Sequence, residues 1–290
     1  MRRARTIAWL LVVGIIGCAP DRRSPGGGGG PDGGGGDRSG TGNSDCADGT
    51  ELVYVIDQLN NRLSQFDPST KVFHDLGSLS CPTMLGATPF SMGVDRSGRA
   101  WVLYNSGELF QVAINGLACT RTSWASPNGL KVFGMGFSTD QAGGSEETLY
   151  IGGAATQTAS SFTIAAVNPT TMSATPLGNQ PILPEMTGTG NAELWGYMPD
   201  ASTARVVKFD KATGTVAKMY PEPTLAGNMA GYAFAHWGGD FWVFLIRTGE
   251  SSSSVYQVDG QTGSIKSTTP APGRTIVGAG VSTCAPTVIL

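Results

Sequence analysis

Thr275-Ile276-Val277-Gly278-Ala279-Gly280-Val281 reads as a β-strand with no complete repeat after it, and its position near the end of the chain decides the fold. Upstream, an aromatic flanked by aliphatic or small residues recurs five times: Val53-Tyr54-Val55, Ala100-Trp101-Val102, Leu149-Tyr150-Ile151, Leu194-Trp195-Gly196 and Phe241-Trp242-Val243. The steps are 47, 49, 45 and 47 residues, a period that belongs to repeat architectures. After each aromatic comes an alternating strand that ends in a turn, as in Phe209-Asp210-Lys211-Ala212-Thr213-Gly214 and Gln257-Val258-Asp259-Gly260-Gln261-Thr262-Gly263. Asp or Asn is expected to open every such turn, including Asn115 in the second repeat, because an Asx side chain caps its own turn.

Four of the five aromatics also have a strand and tight turn before them: Phe90 to Asp95, Val132 to Phe137, Met186 to Thr189 and Tyr232 to His236. Tyr54 does not, and the segment from Thr275 to Val281 is the missing piece. Four strands per repeat, named a to d from the inside out, with the first repeat completed by the C-terminus, describe a closed ring rather than a row. The expectation is an all-β, five-bladed β-propeller of four-stranded antiparallel blades. Thr287-Val288-Ile289-Leu290 also has strand character, so six blades is the alternative.

Composition agrees. Gly (42) and Pro (17) make about a fifth of the 290 residues, and charged residues only 14 %, which argues against helical bundles and coiled coils. Without Arg2, Arg3 and Arg5, the 19 basic and 22 acidic residues leave a formal charge of −6, so no nucleic-acid partner is expected.

The N-terminus reads as an address. Arg2, Arg3 and Arg5 precede an apolar run from Ile7 to Gly17, too short to span a bilayer. The run ends Ile15-Ile16-Gly17-Cys18, which resembles the lipobox of bacterial lipoproteins. That resemblance implies a signal peptide over 1–17 and lipidation of Cys18, which would tie the protein to the membrane through its N-terminal lipid. Ala19, rather than Asp, follows Cys18, so an outer-membrane, cell-envelope location is expected, periplasmic or surface-facing. Residues 18–45 then form a tether whose Gly26–Gly30 and Gly33–Gly36 runs cannot build a core. Roughly 27 flexible residues reach roughly 30 Å. The folded domain is expected over 46–290.

Four cysteines remain in the mature chain besides Cys18, an even set that favours two disulfides in an oxidising compartment. Aligning the repeats puts Cys46 and Cys284 on opposite sides of one a–b turn in the composite blade. Cys81 follows strand d of blade one, and Cys119 begins strand d of blade two. Cys46–Cys284 with Cys81–Cys119 is therefore the expected pairing among the three possible. With His74 and His236 the only histidines and no CxxC, no metal site is expected.

The turn phrase Phe209-Asp210-Lys211-Ala212-Thr213-Gly214-Thr215-Val216 resembles the repeats of secreted bacterial propellers of the YVTN and PQQ-like type. The set of repeats over residues 50 to 286 is similar to propeller lipoproteins of Gram-negative soil bacteria. The resemblance is informative for architecture and brings no cofactor. Five-bladed glycosidases are similar in blade count only. Glu185, Glu193, Asp95 and Asp240 are the acids nearest the inner strands, and nothing in the sequence sets two of them at hydrolytic spacing. His236 and Asp95, near inner-strand ends, are candidates for acid–base work but read more simply as turn residues.

No G-x-S-x-G occurs, and no catalytic residue is assigned. The function expected is a tethered extracytoplasmic module that binds a protein or a glycan on the face where b–c and d–a connections gather. Asp57, Asn60, Asn105, Asp200 and Arg247 are its candidate binding residues. The alternative is a hydrolase or lyase acting on a sugar or lactone at the axial channel.

Overall fold

A computed structural model describes residues 45–289. The signal peptide, Cys18 and nearly all of the tether lie outside the described residues. The described residues form twenty strands: β1 (Val53–Asp57), β2 (Arg62–Asp67), β3 (Val72–Ser78), β4 (Pro89–Val94), β5 (Arg99–Tyr104), β6 (Leu109–Ala113) and β7 (Cys119–Arg121) come first. They are followed by β8 (Val132–Thr139), β9 (Glu147–Ala154), β10 (Phe162–Val167), β11 (Ala174–Gln180), β12 (Glu185–Gly188), β13 (Leu194–Met198), β14 (Ala204–Phe209) and β15 (Val216–Glu222). The last five are β16 (Met229–Trp237), β17 (Asp240–Arg247), β18 (Ser253–Asp259), β19 (Ile265–Ala271) and β20 (Ile276–Val281).

These strands make five four-stranded sheets, and the first has the order β20-β1-β2-β3. The C-terminal strand therefore completes the first blade, with Tyr54 opposite Gly280 just as Trp101 is opposite Gly93 in blade two. The ring has five blades. Residues 287–289 carry no strand, which removes the six-blade alternative. They are instead drawn over the a–b turns, where the Gly238 N–H donates to the Pro286 carbonyl at 2.7 Å.

Five apolar clusters occupy the five junctions between neighbouring blades, and each takes one of the recurring aromatics. Tyr54 packs between blades one and two, Trp101 between two and three, and Tyr150 between three and four. Trp195 packs between four and five, and Trp242 between five and one. Each ring is buried. Burying a large apolar side chain is worth about 1.5–3 kcal/mol, so the aromatic period is a packing period.

Four c–d turns carry the expected Asx cap. Asp67, Asn168, Asp210 and Asp259 each accept from the backbone N–H groups two and three residues on. Blade two departs from this. The bond from the Leu117 N–H to the Ala113 carbonyl matches that from Lys71 to Asp67, so Ala113, not Asn115, occupies the cap position. The backbone bond and the left-handed residue that follows, Leu117 here, are enough to close that turn.

Both disulfides join the cysteines expected: Cys46 is bonded to Cys284 and Cys81 to Cys119. They fit an oxidising compartment outside the cytoplasm. No helix among the described residues is long and apolar enough to cross a membrane.

Candidate functional site

The inner strands are β20, β4, β8, β12 and β16, and they crowd the ring axis. A Cβ added to Gly188 would lie 2.1 Å from the Phe137 carbonyl oxygen, and one added to Gly136 would lie 2.6 Å from the Thr187 Cα. Only glycine allows backbones this close. Glu185 is the one acidic residue on any of the five strands. Ser91 Oγ, on β4 of blade two, donates to its Oε1 at 2.6 Å, passing blade three to reach blade four. The Met135 N–H also donates to Glu185, but burial dominates and pushes the carboxyl well above the usual range. Glu185 thus ties the centre of the ring together.

The other acids named from the sequence sit in a–b turns and have structural partners. Asp95 accepts from the Ser97 and Arg99 N–H groups and from Ser97 Oγ, Arg99 Nε and Trp101 Nε1. Glu193 accepts from Trp195 Nε1 and pairs with Lys208; burial raises its pKa, yet these contacts bring it below the usual value. Asp240 is bonded to Gln257 and Lys266. Two of these acids hold the indole of the recurring Trp in place. His236 is buried beside Phe241, and burial lowers its pKa to about 4, so it is neutral at physiological pH. It belongs to blade five and Asp95 to blade two, which are not neighbours in the ring.

The a–b mouth of the axis is covered by the chain's own end. Thr283 Oγ1 donates to Glu147 Oε2 of blade three at 2.7 Å, and the Thr283 carbonyl lies so close to Gly190 of blade four that a Cβ there would sit 2.5 Å away. Pro286 is bonded to Gly238 of blade five, and Cys284 is held to Cys46. The Arg96 N–H of blade two donates to Glu147 Oε1, beside a shallow cleft of about 220 Å³. The segment is a strap over this face.

The opposite face, where b–c and d–a connections gather, holds a cleft of about 380 Å³ between blades three, four and five. That volume is within the range of ligand pockets, roughly 300–1,000 Å³. Phe162, Pro181, Ile182 and Leu183 form one wall, and Pro199, Asp200 and Ala201 form another. Asn228, Met229 and Tyr232 close the third side, with Gln157 and Ala159 at the edge. Tyr232 OH donates to the Leu183 carbonyl at 3.3 Å and lies near Glu185, so the cleft approaches the axial bridge. Among the described residues no group of three or more His, Cys, Asp or Glu side chains is gathered for a metal.

The five candidate binding residues are spread over this face, and one of them lines the cleft. That one is Asp200, whose Oδ1 accepts from the Ser202 N–H, Ser202 Oγ and the Thr203 N–H; these bonds lower its pKa to about 2. Asp57 is 1 % exposed and accepts from Leu59, Asn60 and Thr275. Asn60 is exposed but donates to Asp57, and Asn105 is bonded to Thr88. Arg247 donates to the carbonyls of Ala226 and Thr224 and so fixes the d–a connection beside the cleft. Ile182, Leu183, Asn228 and Met229 were not singled out in the sequence. The signal for the first two is Pro181-Ile182-Leu183-Pro184, an apolar pair between prolines in a segment too short for a strand.

No family model matches the chain, and no curated protein is similar to it. Solved structures with a similar arrangement include a luciferin-regenerating enzyme, with TM-score 0.48 and 12 % identity over 80 % of this chain and 76 % of that one. Regucalcin, a calcium-binding protein from Agrobacterium tumefaciens, is similar at TM-score 0.44 and 16 % identity over 81 % and 75 %. A protein from Lactobacillus plantarum is similar at TM-score 0.44 and 12 % identity over 81 % and 72 %. At these levels the likenesses carry no argument about function.

Proposed function

We propose that this protein is an extracytoplasmic binding module, tethered to the outer membrane through a lipid on Cys18, that takes a protein or glycan ligand on its b–c/d–a face. The carrying observation is the cleft of about 380 Å³ on the face opposite the strap. Its lining mixes apolar side chains with about as much polar surface, and its volume is that of a recognition pocket. The YVTN and PQQ-like resemblance of the repeats fits the same assignment.

Replacing Cys18 by Ser would give a soluble form for binding work. Incubated with envelope extract and a glycan array, it should retain a reproducible ligand, and Ala201→Trp, which fills the mouth of the cleft, should abolish retention. Retention unchanged by Ala201→Trp would remove the cleft from the assignment.

A hydrolase or lyase on a sugar or lactone is the second reading, and Glu185, a carboxyl whose pKa burial raises and which lies near Tyr232 of the cleft, is the observation that favours it. Against it, glycoside hydrolysis calls for two facing carboxyl groups, and Glu185 has Ser91 opposite it. Turnover of aryl glycosides or lactones that is lost in Glu185→Gln would favour the enzyme.

A further inference from the structure

We propose that the occupant of the cleft is a segment of a protein partner that inserts one apolar side chain between blades three, four and five and sets a cationic group against Asp200. This rests on the binding reading above and narrows it. The lining contains no Lys, Arg or His, and Asp200 is its one charged side chain. Its three hydrogen bonds all go to Oδ1, which fixes the carboxylate and leaves Oδ2 for an incoming donor. The carboxylate is ionised at any physiological pH, so an anionic ligand would be repelled. Arg205 is the nearby protein cation that also favours the charge, and it does not line the cleft.

The walls suit a peptide, offering apolar surface for a side chain beside about as much polar surface for its backbone. Phe162 and Leu183 are buried, and Pro181, Pro199 and Met229 add apolar surface, while the side-chain amides of Gln157 and Asn228 are confined to exposed positions. An aliphatic or aromatic side chain gains by burial against them. A neighbouring lysine, arginine or free amino group supplies the charge that Asp200 lacks, and a charge-assisted hydrogen bond to a held carboxylate is stronger than a neutral one.

The test uses the soluble Cys18→Ser form and octapeptides with a central Leu flanked by Lys, or by acetyl-lysine, with cello- and chito-oligosaccharides as the competing class. The Lys peptides should bind, and acetylation should weaken them by about tenfold. Asp200→Asn, which keeps the Oδ1 acceptor of the turn, should weaken the Lys peptides to the level of the acetylated ones and leave the latter unchanged. Ala201→Trp should abolish both. Equal binding of Lys and acetyl-lysine peptides, still blocked by Ala201→Trp, would overturn the cationic preference while the binding reading stands. Oligosaccharides binding where peptides do not would overturn the peptide assignment alone. If no probe binds and Ala201→Trp leaves capture from envelope extract unaltered, both readings fall.

Discussion

Ser91 of blade two and Glu185 of blade four share a 2.6 Å hydrogen bond that skips the blade between them. A bond of this span is possible only because the inner strands are packed almost to contact, and it makes the middle of the disc solid. The open surface for recognition is therefore a cleft among loops rather than a pore.

That packing sets a first prediction. In Gly188→Ala the new methyl meets the Phe137 carbonyl oxygen at 2.1 Å and the Ser138 Cβ at 2.6 Å, neither of them the free end of a flexible side chain that could yield. The variant should lose about 3 kcal/mol or more of stability in urea unfolding. A loss under about 1 kcal/mol would show that the inner strands can separate.

The a–b turns carry a second. Asp95→Ala removes the acceptor for Ser97, Arg99 and the Trp101 indole at once, and leaves the buried indole N–H unpaired. The expected cost is about 2–4 kcal/mol, with a smaller loss for Asp95→Asn. Near-identical midpoints for the two variants would contradict the role given to the carboxylate.

A third concerns pH. Glu222 is buried at the end of β15, and its Oε1 has no hydrogen-bond partner. Burial raises its pKa to about 7, against an unfolded value near 4.3. The folded chain then holds more protons than the unfolded one across this window. Stability should fall as pH rises from about 4.5 to about 7 and level off above it. Glu185, raised by burial as well, adds to the same trend. Glu222→Gln should gain about 1–3 kcal/mol at pH 8 and nothing at pH 4.5. A gain of equal size at both pH values would point to a cause other than ionisation.

The strap gives a fourth. Cys46→Ser with Cys284→Ser opens a loop of 238 residues, worth about 5.5 kcal/mol by the chain-entropy argument. The lower stability should come with faster amide exchange in 282–286 and in the inner strand 276–281. Unchanged exchange there would mean that the strap is held by its contacts to Glu147 and Gly238 alone.

The architecture could be read from the sequence because each repeat obeys the same local physics. A buried aromatic on strand b must recur wherever two blades meet, and an orphan strand at residues 275–281 had one vacant position to fill. The second c–d turn was misplaced because Asn115 lies two residues past the true cap position, Ala113, and the backbone closes that turn unaided. The cleft was only partly visible. Asp200 and the loops around 157 and 201 lay on the face selected, but three blades build the walls, and the depth between Leu183 and Met229 depends on how those blades dock. Glu222 left no trace in the sequence, since it is buried while its chain neighbours Pro221 and Pro223 are exposed.

The most direct measurement of the central claim is photo-crosslinking in the native envelope, with p-benzoylphenylalanine placed at Ala201 beside the cleft or at Ser145 on the strap face. Adducts from position 201 and none from position 145 are predicted. Adducts from position 145 alone, or from neither, would contradict recognition by the b–c/d–a face.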